Sequence, residues 1–259
     1  MFYQKGIGQD NLKYSWNIID SIEIKSEQWD IDPMGQIILS NKDVLVKLDS
    51  NFNKLYYQSL KGFGNISSLD ARHALKSMIF SENHQLIAFL DNTLTYCQPP
   101  KDLAEDNVYY ATSVSYSNQS NRYWIFDGDN TSLFLFDQTQ GNYQKIENLT
   151  GIIGSSGYLD LKEMENKLII HDFNKGFYFF DLYGSLIDFI ESPSSSSPFL
   201  LNDVLYYLSD KRLKRINIRT NEKDEIYLPD ERISSFRILG DYFYFNTAES
   251  IKKYSLKSN

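Results

Sequence analysis

Short apolar runs that end in a small polar residue recur along the chain at a nearly constant spacing. The runs end at positions 49, 91, 137, 181, 217 and 255. Successive ends are therefore 42, 46, 44, 36 and 38 residues apart. A repeat of about 40 residues that contains several strands is typical of a β-propeller, in which each repeat forms one four-stranded antiparallel blade. The pattern predicts an all-β, six-bladed β-propeller.

The last repeat is too short to form a complete blade. Only residues 256–259 follow its third predicted strand. Residues 18–24, which precede the first blade, alternate between apolar and polar side chains as a strand does. We expect this N-terminal strand to pair beside residues 251–256 and close the ring, because closure removes two open sheet edges. The whole chain, residues 1–259, is predicted to be a single β-propeller domain.

The second repeat is the least regular one. Residues 62–76 contain two glycines and lack a clear apolar run, which predicts an extended loop. Long loops on a rigid scaffold often supply binding groups. The residues of this loop that we predict to bind a partner are Phe63, Asp70, Arg72 and Lys76. An alternative, in which Asp70 and Arg72 only hold the loop in place, stays open.

Composition excludes some classes of partner. Nineteen tyrosines and seventeen phenylalanines against six prolines favour strands over helices. A net charge of −8 argues against binding to nucleic acid, which needs clustered Lys and Arg to contact phosphates. No stretch approaches the about 18 apolar residues of a membrane-spanning helix, so direct insertion into a membrane is not expected. A secretory leader is not visible at the N-terminus.

Candidate catalytic residues are few. Cys97 is the single cysteine, and we expect it to be a buried small apolar residue. The histidines His73, His84 and His171 are too scattered for a zinc site, and each is expected to have a turn or hydrogen-bonded role. No nucleophile elbow is present. The chain is therefore predicted not to be an enzyme and to need no cofactor.

Two alternatives use the mouth of the central channel. Carboxylates and amides could converge there on calcium, and the candidates are Asp32, Asp70, Asp106 and Asn202. The aspartates that end four of the repeat strands are better explained by turn formation. Trp16, Trp29 and Trp124 could form a platform for sugar stacking, although large aromatic side chains also pack between blades.

Two segments carry a resemblance to a known family. Residues 66–80 contain a Ser-Leu-Asp-Ala stretch followed by Leu-Lys and an apolar strand, and residues 175–184 read Lys-Gly-Phe-Tyr-Phe-Phe-Asp-Leu-Tyr-Gly. The chain resembles a family of extracytoplasmic β-propeller proteins of Bacteroidota. The resemblance implies an exported protein, and it suggests a plug-like accessory subunit on the periplasmic side of the type IX secretion translocon.

The predicted function combines the repeat with this resemblance. We expect a non-enzymatic protein-interaction module, a periplasmic accessory or plug subunit of an outer-membrane type IX secretion translocon, whose partner is a subunit of that translocon. The alternative is a calcium-dependent, lactonase-like hydrolase or a carbohydrate-binding propeller that uses the channel mouth. Because the sequence shows no leader, a cytoplasmic location is the alternative to the periplasm.

Overall fold

Six four-stranded antiparallel sheets surround a central channel. The computed structural model describes residues 13–73, 75–154 and 159–258. Within these residues the fold is a six-bladed β-propeller, as the repeat predicts. The first strand, β1 (Tyr14–Glu23), belongs to the last blade, and the other strands follow the chain from blade to blade.

Each of blades one to five is built from four consecutive strands, which run in order from the channel outward. Blade one is β2 (Gln28–Ile31), β3 (Ile37–Asn41), β4 (Val44–Leu48) and β5 (Lys54–Ser59). Blade two is β6 (Ser68–His73), β7 (Lys76–Ser81), β8 (Leu86–Asp91) and β9 (Lys101–Asp102). Blade three is β10 (Ala111–Tyr116), β11 (Arg122–Asp127), β12 (Ser132–Asp137) and β13 (Asn142–Ile146).

The remaining blades follow the same plan. Blade four is β14 (Leu159–Met164), β15 (Lys167–Asp172), β16 (Gly176–Phe180) and β17 (Leu186–Glu191). Blade five is β18 (Phe199–Leu201), β19 (Val204–Ser209), β20 (Arg212–Asn217) and β21 (Lys223–Tyr227). Blade six contains β22 (Ser235–Leu239), β23 (Tyr242–Asn246) and β24 (Ser250–Ser258). A 3-10 helix (Leu103–Asp106) and the helix α1 (Thr150–Ile153) lie in connections between blades.

The N-terminal strand completes blade six. In that sheet the order is β1, β24, β23, β22, so β1 is the outermost strand. It runs antiparallel to β24, with Tyr14 opposite Ser258 and Glu23 opposite Ser250. This confirms that an N-terminal strand closes the ring, and the strand begins four residues before the predicted residue 18.

Buried apolar clusters lie between neighbouring blades. Six clusters occur among the described residues, and each joins side chains of two adjacent blades around the ring. In β11, for example, Tyr123 and Ile125 face blade two while Trp124 and Phe126 face blade four. The middle strands are therefore buried on both faces, which explains why they read as continuous apolar runs and not as alternating ones.

The predicted loop at residues 62–76 is wrong for its second half. Ser68–His73 form β6, the innermost strand of blade two, which pairs with β7 and has an irregularity after Asp70. Its side chains at one face are polar because that face borders the channel, so the strand lacks the apolar run that marks its neighbours. The first part of the predicted loop, residues 62–67, belongs to the connection between β5 of blade one and this strand.

The aspartates at the ends of the repeat strands form turns, as predicted. In each case a side-chain oxygen accepts a hydrogen bond from the backbone N–H two residues later and from a second N–H three or four residues later. This holds for Asp49, Asp91, Asp137 and Asp181. Such bonds satisfy the backbone groups of a tight turn between the third and fourth strands.

Candidate functional site: the central channel

Two cavities follow one another along the central channel. One cavity, which we call the entrance chamber, has a volume of about 220 Å³. It is lined by residues at the N-terminal ends of the innermost strands, such as Ser68, Thr112 and Asp160. The other cavity, which we call the exit cup, has a volume of about 70 Å³. It lies near the C-terminal ends of the innermost strands and is lined by apolar side chains that include Ile31 and Met164. The residues that line both cavities, and so form the waist of the channel, are Lys162, Ser197 and Arg237.

A buried ion pair between Asp70 and Arg72 holds three blades together. The Arg72 Nη2 atom lies 2.6 Å from Asp70 Oδ2, and Nε donates to Oδ1 at 3.0 Å. The same guanidinium donates to Ser115 Oγ and to the carbonyl of Tyr116, both at 2.8 Å, and to the carbonyl of Glu163 in blade four. Burial raises the pKa of Asp70, but the charges of Arg72 and Lys162 and the hydrogen bonds of Arg72 outweigh it and lower the pKa.

A second pair, Asp30 with Arg237, connects blades six, one and two. Arg237 Nε lies 2.6 Å from Asp30 Oδ1, and Nη2 donates to the carbonyl of Trp29 at 3.1 Å. The other oxygen of Asp30 accepts the backbone N–H of Ala71 at 2.7 Å. Both ion pairs therefore connect the innermost strands of different blades to one another.

Glu163 is a buried carboxylate that the sequence pattern does not single out. Its side chain is completely buried in β14. Oε1 accepts the backbone N–H of Asn118 at 2.9 Å, and Oε2 accepts the indole N–H of Trp124 at 2.5 Å. In β14 apolar residues alternate with polar ones, and a glutamate at an apolar position is the sequence feature that could have drawn attention to Glu163. Its two hydrogen-bond donors, however, come from residues 45 and 39 positions away along the chain.

The four predicted partner-binding residues do not share one exposed loop. Phe63 is only 1% exposed and packs in the cluster between blades one and two. Asp70 and Arg72 form the ion pair described above, and Lys76 donates to the side chain of Gln138 at 2.8 Å. That these residues contact a partner stays a prediction, and within this group Arg72 and Lys76 keep partly exposed side chains.

The calcium candidates lie in separate turns and ion pairs. Asp32 accepts the backbone N–H groups of Met34 and Gln36 in the turn after β2. Asp106 is 2.5 Å from Lys101 Nζ, and Asn202 lies in the turn between β18 and β19 of blade five. Among the described residues, no group of three or more His, Cys, Asp or Glu side chains is arranged to hold a metal ion.

The tryptophans do not form a sugar-stacking platform. Trp29 is 3% exposed and Trp124 is completely buried. Trp16 is half-buried, and its ring meets Phe243 and Phe245 edge-to-face with centroids 5.1 Å apart in both cases. The alternative explanation, packing between and within blades, is confirmed. The expectation for Cys97 is wrong, because this residue is exposed in the connection between β8 and β9.

His171 has no hydrogen-bonded role, contrary to the expectation. The imidazole is completely buried, and neither nitrogen has a hydrogen-bond partner among the described residues. It stacks on Phe177 with centroids 4.5 Å apart and contacts the ring of Phe173 at 4.2 Å. Burial lowers the pKa of His171 to about 4, although Asp160 and Asp172 act in the opposite direction.

His171 should make the protein less stable in acid. Since an unfolded histidine titrates near pH 6.5 and the folded one near 4, its contribution is complete above about pH 6.5 and is lost as the pH falls toward 4. We expect His171→Phe, which keeps the ring packing, to reduce the loss of unfolding free energy between about pH 7 and 4.5 by about 2 kcal/mol. Denaturant titrations at both pH values measure it.

The matched control for this prediction is His84→Gln, at an exposed position in the turn between β7 and β8. This variant should keep the pH dependence of the wild-type protein. An unchanged acid profile in His171→Phe would show that the buried imidazole does not govern this part of the curve.

Comparison with known proteins identifies the fold alone. No known protein family and no curated protein matches the sequence. Among solved structures, virginiamycin B lyase from Staphylococcus aureus matches with 9% identity and a TM-score of 0.65, over 93% of this chain and 99% of that chain. A protein of unknown function from Bacteroides thetaiotaomicron matches with 11% identity and a TM-score of 0.67, over 94% and 76%.

A third similar structure is PorZ, a surface component of the type IX secretion system of Porphyromonas gingivalis. It matches with 13% identity and a TM-score of 0.53, over 94% of this chain but 39% of that longer chain. The three proteins include an enzyme and a secretion component, so the likeness shows a β-propeller and does not decide between activities. No helix within the described part of the chain is long and apolar enough to cross a membrane.

Proposed function

We propose that the chain is a non-enzymatic protein-interaction module. The observation that carries this proposal is the outer surface of blade four. In β17, Leu186 is 43% exposed, Ile187 is 56% exposed and Phe189 is 39% exposed. A cluster of exposed apolar side chains on a soluble surface is typical of a site for protein contact.

The edge of β17 also suits pairing with an added strand. It is the last strand of its sheet, and no described residue pairs with its outer side. Residues 186–191 contain neither the lysine nor the proline that commonly blocks such pairing, and within them Asp188 accepts only the backbone N–H of Phe189. An extended segment of a partner could therefore add to this sheet through backbone hydrogen bonds while its side chains cover the apolar ones.

Three carboxylates of the inner strands support a non-catalytic role. Asp30 and Asp70 are each paired with an arginine, and Glu163 accepts two hydrogen bonds within the channel wall. Groups that are used in this way hold the ring together, whereas a catalytic acid or base needs an accessible and suitably tuned proton site.

We further propose that the partner is a subunit of an outer-membrane type IX secretion translocon and that the chain acts on its periplasmic side. Two observations support this finer proposal. The sequence resembles extracytoplasmic propellers of Bacteroidota at residues 66–80 and 175–184. PorZ, a component of that secretion system, contains a region with the same fold.

Chemical cross-linking in the native cell envelope tests both levels of the proposal. The wild-type chain should capture an outer-membrane protein in stoichiometric amount. Ile187→Glu should reduce that capture at least tenfold, which corresponds to about 1.4 kcal/mol, because it places a charge among the apolar contacts. The side chain is mostly exposed, so the variant should fold normally.

Two further variants separate the possible contact regions. Gln144→Glu adds the same charge to the exposed strand β13 of the neighbouring blade three, and this variant should capture the partner as the wild type does. Lys76→Ala tests the contact predicted from the sequence. Full capture by a folded Ile187→Glu variant would remove β17 from the interface, and a captured partner outside the secretion system would contradict the finer proposal.

A further inference from the structure

Several polar side chains of the entrance chamber are not bonded to other described residues of the protein. No side-chain hydrogen bond or ion pair is formed within the described residues by Gln28, Ser68, Thr112, Lys162 or Ser197. All five are half-buried and line the same cavity of about 220 Å³. Partly buried polar groups normally find a partner, so their partner here is solvent or a ligand.

The charged groups at the inner end of the chamber leave one positive charge, that of Lys162, without a paired carboxylate. Asp30 is neutralised by Arg237, and Asp70 is neutralised by Arg72. Asp160 lies at the opposite, entrance end of the chamber, where its Oδ1 accepts bonds from Ser113 and from the backbone of Leu161 and its buried Oδ2 has no hydrogen-bond partner among the described residues.

Lys162 is the remaining charged group at the waist of the channel. It has no carboxylate within 4.0 Å of its ammonium among the described residues, although its charge acts at longer range on Asp70. An ammonium that is half-buried and lacks a paired counter-ion is a binding point for a carboxylate, because a charge-assisted hydrogen bond is stronger than a neutral one.

The other side chains that line the chamber determine which groups the rest of the ligand can carry. Hydroxyl groups of Ser68, Thr112 and Ser197 and the amide of Gln28 can donate to and accept from hydroxyl groups. Glu82 lines the same cavity at its entrance end, beside Ser67, and would repel a second negative charge there. The chamber is smaller than the about 300–1,000 Å³ of drug-sized ligand clefts, so the ligand must be small.

We propose that the entrance chamber binds a small hydroxylated monocarboxylate of the sugar-acid class. Its carboxylate pairs with Lys162 Nζ at the waist, and its hydroxyl groups bond to Gln28, Ser68, Thr112 and Ser197. This site lies inside the channel, on a different part of the molecule from β17, and does not rest on the proposed protein interaction.

Titration calorimetry with D-glucuronate and D-glucose tests the proposal, because the two sugars differ in a carboxylate against a hydroxymethyl group. Glucuronate should bind with at least tenfold higher affinity than glucose, and it should raise the melting temperature by binding only the folded protein. The 1-O-methyl glycoside of glucuronate distinguishes the source: equal affinity indicates the terminal residue of a glycan, whereas loss of binding indicates the free acid.

Substitution of the ammonium makes the test specific. Lys162→Met should weaken glucuronate binding at least tenfold, and Lys162→Arg should largely retain it. The matched control is Lys54→Met, which removes an exposed charge at the start of β5 and should leave binding unchanged. Melting curves without ligand establish that each variant is folded.

Two results would overturn the proposal. One is equal affinity for glucuronate and glucose, or saturable binding by neither sugar at millimolar concentrations. The other is undiminished glucuronate binding by folded Lys162→Met, which would place the carboxylate elsewhere. Both results are independent of partner capture, so failure of this proposal is distinct from failure of the proposed function.

Discussion

Deletion of residues 1–25 should leave the protein unable to persist as a stable monomer. The deletion removes β1, which pairs with β24 from Tyr14 to Glu23, and exposes the whole outer edge of blade six. An unpaired edge of this length is a template for pairing with other chains. The loss should be a large part of the about 5–15 kcal/mol by which an ordinary domain is stable.

Side chains of β1 add to the effect because they join blade six to blade five. The Trp16 ring packs against Phe243 and Phe245, and its indole N–H donates to the carbonyl of Tyr227 at 2.6 Å. Tyr14 donates to Asp224 Oδ2 at 2.7 Å. Removing the strand therefore opens an apolar cluster as well as a sheet edge.

Size-exclusion chromatography and thermal unfolding measure this prediction. The control is deletion of residues 1–12, which leaves every residue of β1 in place, so the difference in melting temperature between the two shortened proteins measures the contribution of residues 13–25. A protein that lacks residues 1–25 but stays monomeric with an unchanged melting temperature would show that closure by β1 is dispensable.

Arg72→Met should lower the free energy of unfolding by about 3–5 kcal/mol, because removing one partner of a buried ion pair leaves the other charge uncompensated. Asp70 is 1% exposed, and Arg72 supplies both its counter-charge and three of its hydrogen bonds. The variant also loses the bonds from the guanidinium to the carbonyls of Tyr116 and Glu163.

The pH dependence should change in a defined direction. In the wild-type protein the lowered pKa of Asp70 contributes stability above the unfolded value near pH 3.9, and this is lost as the pH falls further. Without Arg72, only the charge of Lys162 and the remaining hydrogen bonds oppose the effect of burial, so we expect the pKa of Asp70 to rise. The contribution of Asp70 in Arg72→Met is then greatest in acid and declines as the pH rises.

Denaturant titrations across the acid and neutral range measure both effects. Adding Asp70→Asn to Arg72→Met should recover part of the lost stability, because it removes the uncompensated charge. Arg219→Met is the matched control: Arg219 is 76% exposed and pairs with Asp203 at 2.7 Å, so its removal should cost no more than about 1 kcal/mol. If Arg72→Met also lowered the free energy of unfolding by no more than about 1 kcal/mol, water or another group would have to compensate the charge of Asp70.

Local features of the fold follow from the sequence. The repeat of apolar runs predicts six blades because strands buried on both faces must be continuously apolar. The incomplete last repeat predicts the closing strand, since a four-stranded blade needs one more strand than residues 233–259 supply. Asp49 and its counterparts can be predicted to form turns because their bonds reach only two to four residues along the chain.

Single residues depart from the sequence pattern where their environment is set by blades that are distant in sequence. Residues 68–73 lack an apolar run, since one face borders the polar channel, and the pattern there predicts a loop instead of a strand. His171 carries two nitrogens that usually require partners, yet the phenylalanine rings at 173 and 177 enclose it. Cys97 is apolar enough for a core but lies at the surface.

The architecture can be predicted from the amino-acid pattern, since blade number, strand order and turns depend on periodicity and on contacts between near neighbours. The arrangement of side chains in the channel, in contrast, depends on the closed ring. Arg72 meets a carbonyl 44 residues away in blade three and another 91 residues away in blade four. Closing the ring brings these groups together, and no local pattern encodes a contact whose partners are one or two blades apart.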